Sequence, residues 1–396
     1  MITPLAGRVQ EVWKSLFSTN SAIAATKANV GTHDWDSVSF DEASIRYTLI
    51  RDPSKNSEFI REIIPKLRAG DGERDGLLGL IHYEMGDIEA AFSYWSSALR
   101  HEPHSTGYLA AAAVAGFRLG KPVPDAERHF GSVDPRMYSF SADRIDKGQL
   151  VQALKSFGFF IVRGALELKT LEALRENFER NIENSKATLQ ELGIDPINAV
   201  YPTWCLAPDD DPSKLNSRLR DGWGEKNVTA LKFYEQDEQT YLSRAFFNLL
   251  GAQIIELIAD FSGSRNVEVQ HDYCMARAIA AASNSEFMTG FAKLHQDARL
   301  QARFDDFLTV FIALTPCGLD RPTIGAVPAA LNFYFPQSCD ISELPPFLYH
   351  KAVLEPGDLW VHTGMTAHGS FQSQGMVPNL PRLSVDVRIF DRANAR

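Results

Sequence analysis

Apolar and polar positions keep a helical period over the first third of this chain and turn to short apolar runs over much of the rest. Residues 77–103, LLGLIHYEMGDIEAAFSYWSSALRHEP, carry large side chains at Leu77, Leu80, Ile81, Phe92, Trp95 and Leu99 and small ones at Gly79, Ala91 and Ala98. This spacing predicts a helix, a turn at Gly86-Asp87 and a second helix ended by Pro103. The small residues let the two helices approach, and Trp95 fills the gap further along. A weaker copy follows in AAAAVAGFRLGKPVPDAERHF, with Gly120 in the turn and Ala126 in the next helix, while residues 41–70 upstream are helical in pattern.

From about residue 140 the texture changes. The segment 150–166, LVQALKSFGFFIVRGAL, reads as a helix running through Gly158 into a short apolar strand, and Glu167 leads into a helix over 168–184. The stretch 206–224, LAPDDDPSKLNSRLRDGWG, is rich in Asp, Pro and Gly and reads as a mobile loop, placed to act as a lid. Beyond a helix at 240–262, strands are expected at 267–279, 307–314, 359–362 and 383–390. A helix-fronted, strand-rich part of this kind points to an antiparallel sandwich or barrel. In the first part, the order Leu78, Gly79, Tyr83, Gly86, Ala91, Trp95, Ala98, Pro103 resembles a tetratricopeptide repeat, whose period is about 34 residues. One such repeat cannot bury its own faces, so an all-α helical-repeat module is expected over residues 1–135. The fold class is multidomain α + β, with the second domain over residues 140–396.

Composition adds exclusions. The 396 residues carry 40 Lys and Arg against 50 Asp and Glu, a net charge of −10 with no basic half, which excludes a general nucleic-acid partner. The four cysteines, Cys205, Cys274, Cys317 and Cys339, are far apart and form no CxxC pair, so a reducing cytoplasm suits them. The first residues lack the apolar core of a signal peptide, and no apolar run approaches the ~20 residues of a membrane span. A soluble cytoplasmic protein without a membrane partner is expected.

Candidate chemistry centres on Leu294-His295-Gln296-Asp297. Alternate residues of a strand face one way, so His295 and Asp297 can address one ion from a single strand end. EPGDLWVHTGMTAHGS brings His368 as a third ligand. Two imidazoles and one carboxylate form the facial triad of non-haem Fe(II) oxygenases, which leaves three positions for co-substrate and oxygen. Arg382, 14 residues past His368, presents a guanidinium fork to a carboxylate, and Ser384 adds a hydroxyl on the same strand face. That equipment suits 2-oxoglutarate. His362, on the GDLWVH strand, reads as a packed neighbour of the ligands.

On these residues the chain resembles the phytanoyl-CoA dioxygenase family of Fe(II)/2-oxoglutarate oxygenases over about residues 148–391. The resemblance rests on SFGFFIVRGAL, LHQDARL, DFLTVFIAL, PGDLWVHTGMTAHGS and PRLSVDVRI. It implies a double-stranded β-helix of the jelly-roll or cupin kind with flanking helices, Fe(II) on His295, Asp297 and His368, and 2-oxoglutarate and O2 as co-substrates, with Arg382 on the distal carboxylate. It further implies that Tyr273 and Arg277 in HDYCMAR line the co-substrate pocket, with Phe311 as its aromatic and Lys232 as a polar contact. The chain departs from the family at residues 324–330, IGAVPAA, where a glycine-rich stretch is usual, and in its longer gap from His368 to Arg382.

The implied reaction is hydroxylation of an aliphatic C–H, or its desaturating or cyclising variant, with release of succinate and CO2. Relatives that halogenate carry a small residue in place of Asp297. The expected substrate is a small or carrier-tethered molecule. One alternative is a protein side-chain hydroxylase whose repeats dock the target, and another is a non-catalytic repeat adaptor, which the intact ligand set opposes. The repeats can also serve a homodimer or a protein partner.

Overall fold

The computed structural model describes residues 72–208, 211–223, 267–269, 274–281, 294–297, 308–329, 331, 335–336, 339, 341, 344–372 and 376–391, with single positions at 245, 250 and 256. The chain divides into two compact units, Met1–Arg68 and Ala69–Arg396, and every described residue belongs to the second. The expected helices over 41–70 and 240–262 lie outside the described residues, except for positions 245, 250 and 256.

Four helices come first: α1 (Gly72–Glu84), α2 (Ile88–His101), α3 (Thr106–Arg118) and α4 (Pro124–Gly131). Asp87 caps α2 by accepting from Ala90 N, and Ser105 caps α3 by accepting from Tyr108 N. A Cβ on Gly79 would lie 2.5 Å from Trp95 Nε1, so only glycine admits the indole against α1. There Trp95 is fully buried and donates to the Gly76 carbonyl at 3.1 Å. Ala91 and Ala98 are buried on the same helix, so the close approach read from the small residues is observed.

Next come β1 (Ser139–Ser141), α5 (Lys147–Phe157), β2 (Phe159–Arg163), α6 (Leu168–Glu191) and β3 (Asn198–Pro202). Helix α5 ends at Gly158, whose φ of +80° gives the left-handed cap that lets the chain turn directly into β2. The expectation of a loop over 206–224 is corrected: α7 (Pro212–Trp223) occupies most of it. Asp211 accepts from Ser213 N and Lys214 N, proline opens the helix, and Leu215 and Leu219 are buried one turn apart. Arg220 pairs with Glu191 at 3.0 Å, tying α7 to the end of α6.

The remaining strands are β4 (Val267–Val269), β5 (Met275–Ile279), β6 (Leu308–Ala313), β7 (Thr323–Ala326), β8 (His350–Lys351), β9 (Leu359–Thr363), β10 (His368–Phe371) and β11 (Arg382–Asp391). They form a larger sheet ordered β1-β2-β9-β6-β11-β5-β3, with β4 on the far end of β11, and a smaller one ordered β10-β7-β8. All pairings are antiparallel except β1 with β2. The described chain is thus mixed α/β, and among its residues no helix is long and apolar enough to cross a membrane.

The central strand β11 carries the logic of the core. Leu383, Val385, Val387 and Ile389 line one face and join the cluster that includes Leu154 of α5, Phe178 of α6 and Tyr201 of β3. Burying each such aliphatic contributes about 1.5–3 kcal/mol. Alternation places Arg382, Ser384, Asp386 and Arg388 on the opposite face, also buried, and Arg382 there reaches Ser370 of the smaller sheet. The helical region meets the sheets where the Phe130 carbonyl of α4 and the Tyr138 hydroxyl, at 3.2 Å, both contact the His350 imidazole.

Candidate metal centre

His295, Asp297 and His368 each present one ligand atom, and these atoms lie within 4.8 Å of one another. His295 Nε2 stands 3.6 Å and His368 Nε2 4.0 Å from Asp297 Oδ1. The expectation that His295 and Asp297 share a strand end is corrected. His295 instead forms an isolated bridge with His368, each backbone N–H donating to the other's carbonyl at 2.9 Å. This bridge joins the two histidine-bearing segments directly. Between the ligands, Gln296 turns away: its amide donates to the Met365 carbonyl and accepts from Phe335 N at 2.6 and 2.7 Å.

His368 Nδ1 lies 2.9 Å from the Thr366 carbonyl; that bond takes the Nδ1 proton and leaves the Nε2 lone pair for a metal. His362 of β9 lies against His368 with its ring tilted by 47°, at 4.2 Å between ring centroids, and bonds its Nδ1 to the Thr363 carbonyl, so it is a packed neighbour outside the ligand set. Burial, and then the adjacent His362, push the His368 imidazole down to about 4, so it is neutral at ordinary pH. Burial by itself would raise the Asp297 carboxyl, but the nearby groups, the Arg388 guanidinium foremost, override it. They hold the carboxyl ionised, well below the usual range.

Arg382 is 1% exposed, yet among the described residues its only hydrogen bond runs from Nη2 to Ser370 Oγ at 3.2 Å. Its Nε and Nη1, and the buried Ser384 hydroxyl two residues on, have no partner among the described residues. Buried donors of this kind are rarely left unmade, so this group fits an anion. The Phe311 ring lies 5.2 Å from the guanidinium. Ser370 is two residues from His368, about 7 Å along the strand, a reach that a five-carbon dicarboxylate spans between metal and guanidinium. Arg277 faces the same interior but its Nε donates to Asp386 at 2.8 Å, an ion pair that both Arg277 and Arg388 favour by keeping Asp386 ionised against its burial. Tyr273 and Lys232 lie outside the described residues.

Sequence reasoning missed Arg388 and Thr309. Arg388 Nη2 donates to Asp297 Oδ2 at 2.8 Å and Thr309 Oγ1 donates to the same oxygen at 3.0 Å. A signal existed: PRLSVDVRI keeps a polar residue at every second position through Arg388, in a strand whose other face is wholly apolar.

No family model matches the chain, and no curated protein matches it. Among solved structures it is similar to AviO1 from Streptomyces viridochromogenes Tue57, at 14% identity over 63% of this chain and 97% of that chain, with a TM-score of 0.37. It is also similar to the non-heme alpha ketoglutarate dependent epimerase SnoN from nogalamycin biosynthesis, at 15% identity over 62% of this chain and 80% of that chain, TM-score 0.35. For the carbocyclase SnoK from the same biosynthesis the values are 14%, 63%, 86% and 0.36. All three likenesses are distant.

Proposed function

We propose that this chain is an Fe(II)/2-oxoglutarate-dependent dioxygenase, built on a double-stranded β-helix, that oxidises an aliphatic C–H of a small or carrier-tethered substrate and releases succinate and CO2. One observation carries the reading. A two-imidazole, one-carboxylate set shares a buried interior with an arginine whose donors are only partly used.

The donor set suits Fe(II) on one face and leaves three positions open. When bound, the iron supplies oxidative decarboxylation of the 2-oxo acid coupled to oxidation of the substrate by O2. The chain's own residues do the rest. His295 and His368 offer imidazole nitrogens and Asp297 offers Oδ1. Arg382, with Ser384 and Ser370 beside it, holds the distal carboxylate and so fixes the direction from which the 2-oxo acid meets the ligand set. The buried His362 and Phe311 rings keep water from the inner side. We read α1–α4 as a tetratricopeptide-like module seated on the oxygenase part through Phe130 and His350.

Anaerobic titration tests this. The protein should take up one Fe(II) per chain and then, with 2-oxoglutarate, develop the charge-transfer absorption of a chelated 2-oxo acid; admitting O2 should release succinate. A protein that binds neither metal nor 2-oxoglutarate refutes the reading.

A further inference from the structure

We propose that Arg388 and Thr309 are positioning residues for the candidate metal centre, pinning Asp297 Oδ2 so that the carboxylate presents Oδ1 alone; the proposal rests on the metal-centre reading above. Arg388 on β11 and Thr309 on β6 are direct cross-strand partners, and both side chains converge on one oxygen, at 2.8 and 3.0 Å. The other oxygen faces the two imidazoles, at 3.6 and 4.0 Å.

The way Arg388 is used separates positioning from plain ion pairing. An arginine that serves only to neutralise a carboxylate gains most from a side-on fork on both oxygens. Arg388 is 2% exposed, so desolvation makes that gain valuable, yet it meets Asp297 through Nη2 alone, and its Nε and Nη1 have no partner among the described residues. Its backbone N–H is held as well, donating to Cys274 Sγ at 3.3 Å, which fixes the strand position from which the side chain reaches. The geometry therefore gives up the second hydrogen bond and keeps Oδ1 clear. With Oδ2 already accepting two donors, a bidentate grip of a metal by Asp297 would displace at least one of them. The carboxylate is thus restricted to one coordination position, and the positions a co-substrate and O2 need stay open. The arginine also opposes a cation electrostatically, so the sign of its effect on metal affinity is diagnostic.

The test uses the full chain with Mn(II) as the affinity probe and Co(II) as the spectroscopic one, neither requiring turnover. Removing the partner of an outer-shell contact of this type typically costs 10–100-fold in metal affinity. Arg388→Gln should raise the Mn(II) dissociation constant by that factor, Arg388→Lys should recover part of it, and Thr309→Val, which keeps shape and removes only the hydroxyl, should raise it several-fold. In each variant the Co(II) absorption should change in the direction of a higher coordination number. If Arg388→Gln does not fold, Thr309→Val and Arg388→Lys decide. Variants that bind Mn(II) as tightly as the unaltered protein, or more tightly, with an unchanged Co(II) spectrum, overturn the proposal while leaving the metal centre intact. An unaltered protein that binds no Mn(II) overturns both.

Discussion

Replacing Arg382 distinguishes an arginine kept for a ligand from one kept for the fold. Its guanidinium is fully buried, holds one hydrogen bond and leaves Nε and Nη1 unpartnered among the described residues. Burial pushes its pKa down to about 10, so keeping the charge inside the ligand-free protein costs on the order of 3 kcal/mol. A hydrogen bond to a charged group contributes about 1.5–3 kcal/mol, and two donor directions await a carboxylate. Arg382→Met keeps a long side chain and removes the charge. It should weaken 2-oxoglutarate binding at least ~100-fold, because each 1.4 kcal/mol is tenfold. The same variant should leave the ligand-free protein at least as stable as before, since a buried charge with unused donors among the described residues is gone. Calorimetric titration with 2-oxoglutarate in the presence of Mn(II), beside thermal denaturation of the metal-free protein, reads both effects. A variant that binds 2-oxoglutarate normally, or that loses stability while keeping affinity, refutes the reasoning and returns Arg382 to a structural role.

Three further outcomes are expected. His295→Ala and His368→Ala should each abolish stoichiometric Fe(II) binding and succinate release while the far-ultraviolet circular dichroism stays unchanged; normal succinate release by either variant removes it from the ligand set. Metal-free protein should lose stability as pH falls from about 6.5 toward 4. The buried His368, lowered to about 4, stays neutral in the fold over most of this window but protonates in the unfolded chain, and His362 and His350, also lowered by burial, act in the same direction. The unfolded state then binds more protons in that window, so stability rises with pH, by on the order of 3 kcal/mol for His368 alone; a denaturation midpoint flat between pH 7 and 5 contradicts this. Gly79→Val should destabilise the helical region by about 1–3 kcal/mol, because its Cβ would meet the Trp95 indole at 2.5 Å. An unchanged thermal transition would show that α1 and α2 do not pack as described.

The parts legible in the sequence are those governed by neighbours within a turn or two residues. Gly79, Ala91 and Trp95 define a close helical pair because spacing along a helix decides which residues share a face. The alternation in PRLSVDVRI likewise defines a strand with one apolar and one polar side. His295, Asp297 and His368 are selected as candidate ligands by residue type together with the strand pattern around them, and the fold brings the three together. Even the helix over Pro212–Trp223 had its local marks in Asp211, Pro212 and the Leu215–Leu219 step, but the charge and proline around them masked a helix that α6 stabilises from outside. Tertiary structure alone decided the pairings across long sequence distance. Arg388 meets Asp297, and Arg277 meets Asp386 while Arg382 keeps unused donors. Nothing local distinguishes three arginines that all point into one interior. Which of them finds a carboxylate depends on strand register, on β6 placing Thr309 opposite Arg388 and β5 placing Arg277 opposite Ser384, and register is set by the whole buried apolar face rather than by any residue's own neighbours.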